Sequence, residues 1–174
     1  MARNKARIKI TLRCDKSCPY CINKDAEYRK KWKEIDRPDE VQWSQYRSII
    51  ISGGEPTLYW DRLRTVAYGL RSITTCPIYL QTNGAHLTKN LIRRIDDHID
   101  GIGYSVHSPE EFLHMKTRLK DINLIKPVRL YINKDMHFES HILRNDPDLK
   151  YFAIRLWTEG EFDKDEHIFL LKGD

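Results

Sequence analysis

Long apolar runs are missing from this sequence of 174 residues. Nothing in it approaches the roughly 18 apolar residues that a membrane-spanning helix requires, so no membrane association is expected. There is no internal repeat on the scale of about 20–50 residues and no low-complexity segment, which sets aside solenoids and linker-rich chains. The basic start, Met1-Ala2-Arg3-Asn4-Lys5-Ala6-Arg7, lacks the apolar stretch of a signal peptide and leads straight into an alternating pattern. A cytoplasmic protein is the expectation. Cysteine is also scarce: four in all, but three of them fall within residues 14–21. Disulfides are rare in a reducing compartment, so thiols clustered in this way read as a metal site.

What is present describes a globular chain. Apolar residues make up 40% and charged residues 32%, a balance that fits one domain with a wet surface. The net charge of +5 leans toward anionic partners such as nucleic acid, nucleotides or an acidic electron donor, without deciding among them.

Along the chain a strand, a turn and a helix recur. Residues 7–13 alternate Ile8, Ile10 and Leu12 and read as a half-buried strand ending at Cys14. Ser48-Ile49-Ile50-Ile51 is a continuous apolar run stopped by Gly53-Gly54, as suits a parallel strand covered on both faces. Leu63, Val66, Ala67 and Leu70 then have helical spacing. A third strand spans residues 78–82 and closes at Asn83-Gly84; Thr88 caps a helix with Leu91, Ile92 and Ile95 inside. The fourth covers 102–106, followed by the capping sequence Ser108-Pro109-Glu110-Glu111 and a helix with Phe112, Met115 and Leu119 buried. Further strands are expected at 128–132 and 151–157, with only a short helix at 137–143 between them and a charged tail over 159–174. Alternating strands and helices imply right-handed crossovers and a parallel sheet. Six strands are too few for a closed eight-stranded barrel, leaving an open doubly wound sheet or a partial barrel. Either would gather its site at the carboxyl ends of the strands, where Cys14, Gly53-Gly54-Glu55 and Asn83-Gly84 all lie.

The cysteines form Cys14-x3-Cys18-x2-Cys21. Iron–sulfur clusters and zinc both favour such closely spaced thiolates. Structural zinc ordinarily takes four protein ligands, and no second cysteine pair or suitably spaced histidine pair is present. Cys76 stands alone and reads as a packed strand residue. Three ligands on a four-iron cluster would leave one iron open. The loop, with Tyr20 before its last cysteine, resembles the signature of the radical S-adenosylmethionine superfamily. Gly53-Gly54-Glu55-Pro56-Thr57 is similar to that family's GGEP motif, and Gln81-Thr82-Asn83-Gly84 to its TNG segment. The resemblance covers residues 7–157 and implies a single domain: a parallel α/β sheet forming a partial (βα)6 TIM-like barrel.

The resemblance also implies roles. Cys14, Cys18 and Cys21 would ligate a [4Fe-4S] cluster, whose open iron binds the amino and carboxylate groups of S-adenosylmethionine. One electron, from a protein such as flavodoxin or ferredoxin, would break the sulfonium, and the 5′-deoxyadenosyl radical would take hydrogen from a substrate. Gly53 and Gly54, with Glu55 and Pro56, would hold the methionine end. Tyr20 would lie near the adenine and shield the cluster. Gln81, Asn83, Ser105, His107 and Asn133 would be polar contacts, and Trp157 would support the adenine through backbone groups. Without the resemblance, Ser105, His107 and Asn133 read equally well as satisfied turn or cap residues. Residues 24–37 are basic with interleaved aromatics, which suits a solvated helix face or a phosphate- and base-binding surface. No cysteines remain for a second cluster. The expected substrate is a small molecule, nucleotide or nucleic-acid base. A glycyl-radical-enzyme activating protein and a non-catalytic zinc module that binds nucleic acid are the alternatives.

Overall fold

The computed structural model describes residues 4–133, 145–157 and 166–173. The helix expected at 137–143 lies outside them. Among the described residues eight strands run in the order β2-β8-β1-β3-β4-β5-β6-β7, every neighbouring pair parallel. They are β1 (Lys5–Lys9), β2 (Trp32–Ile35), β3 (Ser48–Ser52), β4 (Ile78–Thr82), β5 (Gly101–Val106), β6 (Val128–Asn133), β7 (Ala153–Trp157) and β8 (Glu166–Leu171). The α/β class and the parallel, unclosed sheet therefore stand.

Two of these strands were not expected. The charged tail places β8 between β1 and the edge strand β2, where Ile168 and Phe169 are buried. The basic segment 24–37 is not one helix but a single 3-10 turn, a one-turn helix α1 (Ala26–Arg29) and the edge strand β2. In it Tyr28 turns inward and is buried, and Lys9 from β1 lies over both the Tyr28 and Trp32 rings at 4.8 and 4.7 Å. The first strand also ends sooner than its alternation suggested. Beyond Ile10, whose N–H donates to the Ser52 carbonyl, the chain leaves the ladder to run along the turn after β3. The last expected strand starts late, at Ala153, because Pro147–Tyr151 forms a 3-10 turn.

Alternation decides which face is covered. Ile8 and Ile10, Ile49 and Ile51, Ile78 and Leu80, Ile102 and Val106, and Leu130 and Ile132 point to one side and are almost wholly buried. Helices α2 (Trp60–Ile73) and α4 (Pro109–Asn123) lay Leu63, Val66, Ala67 and Leu70, and Phe112, Met115, Leu119 and Ile122, into the same apolar cluster. Each of the larger side chains contributes about 1.5–3 kcal/mol on burial. The helices start where their sequences direct: Ser108 accepts from the Glu111 N–H ahead of Pro109, and Thr88 from Leu91 at the head of α3 (Lys89–Arg93). No helix among the described residues is long and apolar enough to cross a membrane.

Candidate active site

The loops leaving β1, β3 and β4 meet at the carboxyl edge of the sheet, and the meeting is enforced by backbone. Residues 11–13 pass so close to the turn after β3 that Gly54 donates to the Thr11 carbonyl at 2.7 Å and Glu55 to the Arg13 carbonyl at 2.8 Å. A Cβ on Gly53 would lie 2.2 Å from the Thr11 oxygen, and one on Gly54 2.0 Å from the Arg13 oxygen. Gly53 also has φ of +155°, outside the range side chains favour. Only glycine fits at either place, so the diglycine sets how near the cysteine loop lies to β3.

Side chains complete the join. Asn23 donates from Nδ2 to the Gly53 carbonyl at 2.8 Å, while its Oδ1 accepts from Lys9 Nζ. Asn83 donates from Nδ2 to Asp15 at 2.7 Å, and Asp15 also faces His86 Nε2 at 3.3 Å. Partial burial acts to raise the Asp15 pKa, but the Asn83 amide and the His86 ring prevail and hold it below the ordinary carboxylate range. Lys16, on the same loop, pairs with Glu111 of α4.

Glu55 lies behind this edge rather than in it. It is 1% exposed, and its Oε1 accepts from the Thr57 N–H at 2.9 Å, the Thr57 hydroxyl at 2.5 Å and the Thr82 hydroxyl at 2.7 Å. Its Oε2 accepts from the Asn83 N–H at 2.7 Å. With four donors satisfied inside the protein, the carboxylate clamps the turn after β3 to the turn after β4. Pro56 is likewise buried, at the start of a 3-10 turn.

A cavity of about 180 Å³ opens between these loops. Cys14, Cys18, Cys21, Tyr20, Gly53, Gly54, Gln81, Asn83, Ser105 and His107 all line it; Glu55 and Pro56 do not. Asn133 and Trp157 end β6 and β7 as register partners. His107 lies against the thiols, with Nδ1 3.5 Å from Cys18 Sγ and 3.0 Å from the Tyr20 hydroxyl, and the two rings stack. Burial, then the Lys16 ammonium, pushes the His107 pKa down, so the imidazole facing the thiols is uncharged at neutral pH. Burial and the adjacent Cys18 push Tyr20 up to about 12, which keeps its hydroxyl protonated. Burial also raises the Cys14 and Cys18 thiols. Gln81 donates to the Ser105 hydroxyl at 2.8 Å, so these two form one polar wall.

Sequence reasoning passed over Asp15, Asn23 and Ser52. The first two are ordinary loop residues until their partners across the turn are seen. Ser52 precedes the diglycine and lines the cavity at 4% exposure, and its Oγ has no hydrogen-bond partner among the described residues. A buried hydroxyl without a partner is uncommon, and one facing a cavity suits a polar ligand atom. Among the described residues no three His, Cys, Asp or Glu side chains close around a point as they would around a single metal ion. A four-iron cluster asks for something else, one thiolate at each of three corners, and the three thiols lining one cavity supply that donor set.

Cys76 lies at the other end of the sheet, before β4, with Sγ 3.3 and 3.2 Å from the Trp43 and Tyr46 carbonyl oxygens. Replacement by alanine is expected to cost about 1 kcal/mol of stability and to leave iron content unchanged on reconstitution. Loss of iron in that variant would place a ligand where none is assigned.

No curated protein matches the sequence. The fold is similar to that of native anSMEcpe with bound AdoMet, at 15% identity and a TM-score of 0.59, over 89% of this chain and 51% of that one. It is also similar to BtrN in complex with AdoMet and 2-DOIA, at 18% identity and a TM-score of 0.55, over 91% of this chain and 71% of that one. The chain thus spans about half the length of the first and more of the second, and at these identities the likeness is one of fold. The family model of the radical SAM superfamily matches residues 8–129, a stretch that runs from β1 through the cysteine loop, the diglycine turn and the Asn83 turn into β6. Matched over most of its length, the chain belongs to the radical SAM superfamily.

Proposed function

We propose that this single domain holds a [4Fe-4S] cluster on Cys14, Cys18 and Cys21 and binds S-adenosylmethionine in the cavity between those thiols and the Gly53-Gly54 turn. The observation that carries the reading is the composition of that one cavity: three thiols, a side-chain-free turn, and the unpartnered Ser52 hydroxyl beside the turn. When bound, the cluster supplies the electron that cleaves S-adenosylmethionine to methionine and a 5′-deoxyadenosyl radical.

The chain's own part is to hold, orient and shield. Gly53 and Gly54 let a ligand approach the backbone, and Ser52 Oγ offers a hydrogen bond to its polar end. Gln81 and Ser105 present a polar wall across the cavity, within reach of hydroxyl groups on a nucleoside. Tyr20 and His107 cover Cys18 with stacked, uncharged rings and keep water from it. Asn83, through Asp15, fixes the cysteine loop, and Glu55 fixes Asn83. The substrate is a small molecule, nucleotide or nucleic-acid base, and the reductant a protein such as flavodoxin or ferredoxin.

Anaerobic reconstitution tests this. A brown protein with about four irons and four sulfides per chain is expected, releasing 5′-deoxyadenosine when dithionite and S-adenosylmethionine are added. A colourless protein holding stoichiometric zinc and releasing none overturns it.

A further inference from the structure

Beneath the cavity the inner face of the sheet carries charge that cofactor binding does not use. Register partners in a parallel ladder share a face, so Lys5, Arg7 and Lys9 of β1, Arg129 and Tyr131 of β6, Arg155 of β7 and Glu166 of β8 all point away from the helix-covered side. That is five cations. Glu166 opposes them from within the sheet, and Glu34 does so only from edge strand β2, where it is exposed beside Lys172. Glu166 is already engaged with Arg7, at 2.9 and 3.2 Å to its two oxygens. Lys5, Arg129 and Arg155 make no ion pair among the described residues, and both arginines are exposed.

The face is also concave. β3, β4, β5 and β6 separate β1 from β7 in the sheet, yet the Arg155 charge acts on Lys5. Burial first, then Arg155, pushes the Lys5 pKa down, with Arg47 and Arg7 adding to the effect and Glu166 alone opposing it. Arg7 and Lys9 of β1, Ser52 of β3, Gln81 of β4 and Ser105 of β5 also line one cavity, as side chains on the inner face of a curled sheet do. The positive groups therefore surround a common space instead of facing bulk water separately.

The floor of that space is aromatic. Gly101 and Gly103 leave β5 bare, and neighbouring rings occupy the room: a Cβ on Gly101 would lie 3.1 Å from the Tyr79 ring, and one on Gly103 2.8 Å from the Tyr131 ring. Tyr79 keeps 39% of its surface exposed. At its upper end the space joins the cavity, whose lining includes Arg7 and Lys9.

We propose that this concave face binds a small phosphorylated substrate, its phosphate groups held by Lys5, Arg129 and Arg155 and a flat portion laid on Tyr79 and Tyr131. The proposal rests on the reading of the adjoining cavity as the S-adenosylmethionine site, which puts the reactive end of the substrate beside it. Three cations drawn from three strands exceed what one carboxylate can neutralise, and two of them are guanidinium forks matched to phosphate oxygens.

Calorimetric titration of the reconstituted full chain with pyrophosphate, malonate and a short single-stranded RNA tests it. Pyrophosphate should bind more tightly than malonate, and Lys5→Gln with Arg155→Gln should weaken it roughly tenfold. Arg93→Gln, on exposed α3, should bind as the wild type does. A melting curve checks folding, and Arg155→Gln alone, at the exposed edge strand, serves if the double variant melts early. Absence of pyrophosphate binding, equal malonate binding, or unchanged affinity in a folded variant overturns the proposal; tighter RNA binding overturns the small substrate in favour of nucleic acid. Dithionite-dependent 5′-deoxyadenosine release is measured separately on the wild type. Release without pyrophosphate binding sinks the substrate site alone, and binding without release sinks the cofactor reading alone.

Discussion

Replacing Cys18 by alanine is expected to remove the cluster and all 5′-deoxyadenosine release while leaving the fold in place. Of the three thiols, Cys18 is the one both half-buried in the cavity wall and covered by the stacked Tyr20 and His107 rings. Its backbone carbonyl accepts from Lys24 Nζ at 2.9 Å and from the Cys21 N–H at 3.3 Å, and neither bond needs the sulfur. Stability should therefore fall by less than about 1 kcal/mol. Iron content should fall to background, because two thiolates cannot hold a cluster against exchange with solvent. Loss of a mere outer-shell partner costs about 10–100-fold in metal affinity or activity, so loss of a ligand should exceed about a hundredfold in cleavage rate. Iron assay, the visible spectrum and product chromatography on one preparation check each part. Cluster retained in the alanine variant would mean that these thiols are not its ligands.

The site was legible in the sequence to the extent that its chemistry is local. The cysteine loop, Gly53-Gly54 and Asn83 each follow a strand whose apolar pattern is plain, and a parallel sheet sends those ends to one edge. Within the motifs, what could not be read was which side chains face the cavity and which face the protein. Glu55 sits in the most recognisable motif, yet its carboxylate is spent on Thr57, Thr82 and Asn83. Two unremarkable neighbours, Ser52 and Asn23, face inward instead.

Strand β8 escaped notice for a different reason. Five of its six residues pair with β1, about 160 positions away, and only a short patch of them is apolar. Its first residue, Glu166, looks like part of a charged tail until its ion pair with Arg7 of β1 is seen. The same holds for β2, whose Trp32-Lys33-Glu34-Ile35 buries one residue on a sheet edge and so shows no period of its own. Long-range pairing decided both strands. Windows of local sequence cannot carry that information.

Gly54→Ala should be the most damaging single-methyl change in the protein. The added Cβ would sit 2.0 Å from the Arg13 carbonyl oxygen, 2.4 Å from its carbon and 2.7 Å from the Leu12 oxygen. All three are backbone atoms, so no rotamer change relieves the clash. The chain must part, which breaks the Gly54-to-Thr11 and Glu55-to-Arg13 hydrogen bonds and moves the cysteine loop off β3. Overpacking on this scale costs about 3 kcal/mol, and in a domain of this size that lowers the melting temperature by roughly 10 °C. Gly69→Ala is the internal comparison. It lies within α2, nothing stands within 4 Å of its added Cβ, and the change should gain about 0.5–1 kcal/mol from helix propensity. Calorimetric melts of the two variants should therefore shift in opposite directions. Reconstitution separates the site from the fold: Gly69→Ala should take up iron as the wild type does, and Gly54→Ala should fail to do so even below its melting point. A Gly54→Ala protein that melts normally and holds its iron would show that the cysteine loop does not depend on this turn for its position.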